Sequence, residues 1–200
     1  MNIDQRPISR FRIYRIGVLF ALLTVPMQGC SPIPTFPFPG VTIIKTPQDF
    51  DDVKNQSKQF QNHSFQLAGR IRGAKTTPQG VIFLADWLPF PEDTYAGPET
   101  RSTPRSYRLF YLHFSGPVDD DGMSQGNEFL MVGQLAGLED MVTLLGSTKA
   151  IPSFTAQCLH VWKTAFTDLY EFIWMLPSDG RYTPPLEKTY CVASSPFKTS

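Results

Sequence analysis

From Ser64 to Gly73 the chain alternates without a break: Ser64, Gln66, Ala68, Arg70 and Arg72 fall between Phe65, Leu67, Gly69, Ile71 and Gly73. A period of two places the sets on opposite sides of an extended backbone, so the stretch reads as a strand with one buried face. Pro78 and Gly80 then set a turn before VIFLADWLPF (81–90), which makes the two runs a hairpin. Further strands are read in SYRLFYLHF (106–114), NEFLMVGQLAG (127–137) and SFTAQCLHVWK (153–163). No helical pattern between them is long enough for a parallel crossover, which points to an antiparallel sheet. A small open sheet leaves two unpaired edges, and curling into a barrel removes them. Gly69, Gly73, Gly133 and Gly137 fall where strands can bend sharply enough to close one. The expected fold is therefore mainly β: a single small antiparallel five-stranded OB-like barrel with short flanking helices.

One such helix is expected in KTPQDFDDVKNQSKQF (45–60). Thr46 suits its cap, Pro47 its first position and Asp49 the third residue of a capping box, while Phe50 and Val53 give it an apolar edge. A second is read in TAFTDLYEFIWM (164–175), where Phe166, Leu169, Tyr170, Ile173 and Trp174 recur at helical spacing. We read it as packing over the barrel rather than lying on lipid, because its polar face shows Asp168 and Glu171 instead of Lys or Arg.

The N-terminus has a different character. Arg6, Arg10, Arg12 and Arg15 precede an apolar run from Ile16 to Val25 that is too short for the ~20 residues a membrane-spanning helix needs. That is the build of a secretory signal peptide. Its end, Met27-Gln28-Gly29-Cys30, resembles a bacterial lipobox, matching at Gly29 and Cys30 and departing at Met27 and Gln28. Pro32, Pro34, Pro37 and Pro39 follow, which argues against a buried helix. The expected organisation is a lipoprotein signal peptide over 1–29, a lipidated Cys30 with a Pro-rich linker over 30–45, an OB-like domain over 46–175 and an irregular tail over 176–200. Acyl chains on Cys30 make the membrane a partner. Ser31 after the cysteine, rather than Asp, favours the outer membrane by the sorting tendency of such lipoproteins.

Removing residues 1–29 takes away four arginines and one aspartate, leaving a formal charge of −3. Such a surface lacks the concentrated basic footprint that nucleic acid requires. Export also places the remaining cysteines, Cys158 and Cys191, in an oxidising compartment. They either form a disulfide or stay as two isolated thiols, and the sequence leaves both open.

FPEDTYAGPE, FSGPVD, FLMVGQLAG and CLHVWK occur in an order and spacing that resemble the Slp family of bacterial outer-membrane lipoproteins, over about 65–163 together with the lipobox. The resemblance implies an envelope lipoprotein associated with starvation or stationary phase and with envelope robustness, without an established enzymatic reaction. Within DTYAGPE, Asp93, Tyr95 and Glu99 are candidates for a recognition loop. Turn chemistry at Gly97-Pro98, with Tyr95 packed over the barrel end, accounts for most of these residue types unaided and is the reading we favour.

Three signals of chemistry fail on context. GMSQG (122–126) fits G-x-S-x-G, but a nucleophile elbow needs strand, turn and helix, and Ser124 sits between loop and strand. Asp119, Asp120 and Asp121 lack the alternate spacing and distant Glu of a calcium loop, so they read as a solvated acidic turn. His63, His113 and His160 have no paired spacing for zinc. The expectation is no enzyme, no metal and no cofactor: a lipid-anchored, periplasm-facing protein that binds an envelope protein or lipid partner. The alternative is a periplasmic module holding a small apolar ligand or lipid.

Overall fold

The alternating run at Ser64 extends further than the sequence pattern reached, as β2 (Ser64–Thr77), and turns at Pro78-Gln79 into β3 (Gly80–Leu88). The computed structural model describes residues 36–92, 94, 97–98, 108–143, 145–164 and 186–197. In chain order its elements are β1 (Thr42–Ile43), α1 (Pro47–Asn55), α2 (Ser57–Phe60), β2, β3, β4 (Leu109–Phe114), β5 (Glu128–Val142), β6 (Thr148–Trp162) and β7 (Glu187–Cys191).

Five strands close into a barrel in the order β2-β3-β4-β6-β5, with β5 pairing back onto β2. The fold is an OB-like barrel, but the sheet is mixed and not antiparallel: β4 and β6 run parallel, with Tyr111 opposite Ser153 and Phe114 opposite Ala156. Closure itself requires this, because strand directions cannot alternate all the way round a ring with an odd number of members.

Two further corrections concern the chain ends. The expected linker over 30–45 contributes β1, which pairs parallel with β2 at Phe65 and Gln66. The expected irregular tail over 176–200 contains β7, antiparallel to β6 from Cys158 to Trp162. Both short strands cover stretches of edge that the barrel pairing leaves open. β3 joins β2 only from Ala68 onward, and β4 leaves β6 after Ala156.

Inside the barrel, alternate residues from every strand interdigitate: Phe65 and Leu67 of β2, Phe83 and Trp87 of β3, Phe110 and Leu112 of β4, Phe129 and Met131 of β5, Phe154 and Leu159 of β6. α1 forms as its residues dictate. Thr46 Oγ1 accepts from the Asp49 amide at 3.2 Å and Asp49 returns the bond to the Thr46 amide at 2.8 Å. That cap aims Phe50 and Val53 into the core, the Phe50 ring centre lying 5.9 Å from that of Trp87 and 6.2 Å from that of Phe110. Gly133 sits at a close crossing, where a Cβ would lie 2.3 Å from the Thr155 carbonyl oxygen. β5 and β6 approach here with no room for a side chain.

A second apolar cluster lies on the outer side of β2, β5 and β6. Ala68, Leu130, Val132, Cys158 and Trp162 are buried there, with Phe36, Phe38, Ile43 and Phe197 from the chain ends packed over them. Gln66 fixes this cover, its Oε1 accepting from the Phe38 amide at 2.7 Å and its Nε2 donating to the Phe38 carbonyl at 2.8 Å. The buried amide thus meets the hydrogen-bonding demand of an extended segment that lacks a strand beside it.

Candidate functional site

The same alternation that fills the barrel turns Ile82 and Leu84 of β3, and Leu109, Tyr111 and His113 of β4, to the outer side, where all are half-buried. Ile82 stands opposite His113, and Leu84 opposite Tyr111. In five-stranded barrels of this type the face of the second and third strands, with the first and last hairpin loops beside it, is where extended ligands lie. Here β3 and β4 supply that face and the Pro78-Gln79 turn supplies one border. A groove of about 270 Å³ lies at the turn end of this face, lined by Thr77, Gln79, Ile82, His113, Ser115 and Thr155.

The other border is an arm. β5 pairs with β2 only as far as Gln134, and β6 meets β4 only from Ser153, so beyond those points β5 and β6 pair with each other alone. A bulge between Leu135 and Gly137, with Gly137 at φ +144°, marks where the arm leaves the barrel. Leu138, Val142 and Leu145 are exposed on it, Leu145 almost fully at 95%. Glu139 ties the arm to the face: its Oε1 accepts from Ser153 Oγ at 2.5 Å and lies 2.8 Å from His113 Nε2. Serine, histidine and an acid meet here, but in the wrong relation for nucleophilic catalysis. The carboxylate accepts the serine's hydrogen bond directly, and no histidine stands between them as base.

The residues singled out from sequence fall in different places. Cys30, the signal peptide, Asp93, Tyr95, Glu99 and the 165–175 segment lie outside the described residues. Cys158 and Cys191 face each other across β6 and β7 and form a disulfide, with Cα atoms 4.1 Å apart. Ser124 Oγ bonds the Asp120 carbonyl at 3.3 Å, far in role from an activated nucleophile. Among the described residues no group of three metal-ligating side chains occurs.

The acidic turn is not simply solvated, because Asp119 is anchored to β7. It accepts from the Tyr190 hydroxyl at 2.7 Å, from Lys188 Nζ at 2.7 Å and from the Gly122 amide at 2.7 Å. The Lys188 bond, then those of Tyr190 and Gly122, hold its carboxyl well below the ordinary carboxylate range. Burial, then the bond to Asp119, raises the Tyr190 hydroxyl well above its usual value. His160, which sits against Trp162 with its Nδ1 2.7 Å from Thr189 Oγ1, is pushed below its usual 6.5 by burial, against the opposing pull of Glu187.

Both shifts predict acid sensitivity of the β6–β7 region. A depressed histidine contributes stability that is fully present above pH 6.5 and falls away as pH drops through its folded value, because the unfolded chain takes the proton more readily. The Asp119 contribution is present above pH 3.8 and is lost at lower pH, as the carboxylate protonates. Urea midpoints are thus expected to fall in two steps on acidification. His160→Gln should flatten the first step only, and an unchanged slope in that variant would contradict the assignment.

Sequence reasoning did not reach Tyr111, His113 or Glu139 as members of a face. The signal for the first two was present, since they alternate with buried Phe110, Leu112 and Phe114. Glu139 carried none, because its partners are 14 and 26 residues away in sequence. In comparisons with known proteins the chain matches no family model and no curated sequence.

Proposed function

We propose that the protein is a non-catalytic, lipid-anchored lipoprotein of the bacterial outer membrane that binds another envelope component through the β3–β4 face and supports the envelope under starvation or stress. The observation that carries this reading is the half-apolar outer face of an OB-like barrel, bordered by a turn and by an arm with exposed leucines. The lipobox-like end at Cys30 and the motifs that resemble those of the Slp family support the location, as does a disulfide of the kind an oxidising compartment permits. A barrel interior filled by aromatic side chains argues against the alternative, a cavity for an apolar ligand.

Two experiments test it. Cys30→Ser is expected to block processing or release the protein into the soluble fraction, and membrane attachment of a cleaved Cys30→Ser product would contradict the anchor. Cross-linking in intact envelopes is expected to capture a component that Tyr111→Ala fails to capture. Recovery of bulk lipid alone, equal in both proteins, would rule out the partner reading.

A further inference from the structure

At the Leu109 end of the β3–β4 face, a pocket of about 210 Å³ opens between α1, the start of β4 and the base of the arm. Its apolar wall is Phe50, Leu109 and Ile151, of which Phe50 and Ile151 are buried. Its charged wall brings together Lys54 from the last turn of α1, Arg108 from just before β4 and Lys149 from β6. Asp51 is the one acid lining it.

Asp51 is already engaged. Its Oδ1 accepts from Arg108 Nε at 3.0 Å and its Oδ2 from Arg108 Nη2 at 2.7 Å, a two-point pair that neutralises both groups. The pair and its charges keep the Asp51 carboxyl below and the Arg108 guanidinium above their usual ranges. Lys54 and Lys149 remain, and among the described residues neither makes a hydrogen bond or an ion pair. Two ammonium groups from distant parts of the chain therefore share a concave, partly apolar site whose lining carries three cations against one acid, Asp51, on which Lys54 also acts through its charge. In a chain whose sequence after residue 29 is net negative, that concentration is local and not a property of the whole surface.

We propose that this pocket binds a phosphate monoester. A dianion balances both lysines, whereas a monocarboxylate would leave one charge unmatched. The pocket is several times the ~30 Å³ that one water occupies, so it has room for a phosphate and a few attached carbons. Leu109 and Ile151 give those carbons an apolar surface, and Asp51 holds Arg108 in place at the pocket wall. The inference rests on this pocket alone and does not depend on the envelope-binding reading of the β3–β4 face.

The test is calorimetric titration of the purified protein with glycerol 3-phosphate, with acetate and glycerol as controls. Saturable binding of the phosphate ester, weakened about tenfold or more in Lys54→Gln/Lys149→Gln, is expected, since each lysine supplies a charge-assisted contact. Lys58→Gln, which removes a charge from exposed α2, should leave affinity unchanged. Absence of saturation, equal binding of acetate, or equal affinity in the double variant would overturn the proposal. Vesicles containing phosphatidic acid, set against phosphatidylcholine alone, identify the source. Lysine-dependent binding to the first supports a lipid headgroup, and binding of only the soluble ester supports a free metabolite. Should the double variant fold poorly, amide shifts in the unaltered protein decide: perturbation at Arg108, Leu109, Lys149 and Ile151 supports the site, and perturbation elsewhere overturns it.

Discussion

Replacing Phe110 with alanine is expected to lower stability by about 3 to 5 kcal/mol, read as a fall in the urea midpoint without a change in slope. The ring is fully buried at the centre of the barrel, with centres 6.2 Å from Phe129 and 5.8 Å from Phe154, and with Phe50 of α1 closing over it at 6.2 Å. Little could collapse into the space. The opposite wall is already supplied by Gly69, where an added Cβ would sit 2.9 Å from the Phe110 ring and 2.9 Å from the Asp86 carbonyl oxygen. The cavity would therefore persist, which places the cost toward the upper part of the range. Tyr111→Ala, one residue along and on the outer face, is the internal control and should cost about 1 kcal/mol or less. Equal losses at the two positions would mean that the inner and outer faces of β4 are misassigned.

That contrast between neighbours is also what made the barrel legible from sequence. Where a strand has one dry and one wet face, as in Phe110 to Phe114 or Phe65 to Ile71, alternation in polarity is enforced and can be read directly. Where both faces meet solvent, nothing enforces it. The run Leu138-Glu139-Asp140-Met141-Val142 belongs to the arm, and the expected fourth strand stopped short of it at Gly137 for that reason. β7 went unread because five residues, Glu187 to Cys191, are too few to show a period. That at least one pair must run parallel was available without any side-chain signal, from the odd strand count alone; that it is β4 with β6 was not. The candidate site divides in the same way. The positions of Tyr111 and His113 followed from local alternation, whereas the Glu139 tether and the Lys54 and Lys149 pocket depend on contacts between segments remote in sequence, which no local pattern encodes.

Reduction of the Cys158–Cys191 disulfide, or Cys158→Ala/Cys191→Ala, is expected to cost about 3 to 4 kcal/mol, the chain-entropy value for closing a loop of this length. The two residues are 33 apart in sequence and directly opposed on β6 and β7, so the bond restricts the unfolded chain. Its loss should also be felt locally. β7 is otherwise held by five register pairs with β6, by Tyr190 and Lys188 on Asp119, and by Thr189 against His160. Beyond it, Phe197 packs on Phe38 with ring centres 5.0 Å apart, so the C-terminal segment covers the N-terminal one. Freeing β7 should therefore raise hydrogen exchange at residues 187–192 first and at 38–44 next, while β3 and β4 keep their protection. If exchange rises evenly through the barrel, or if the double alanine variant is within 1 kcal/mol of the oxidised protein, the bond is not the constraint that holds the two chain ends over the outer apolar cluster. If the ordered pattern appears, the redox state of these thiols also sets whether residues 36–44 stay docked on the barrel.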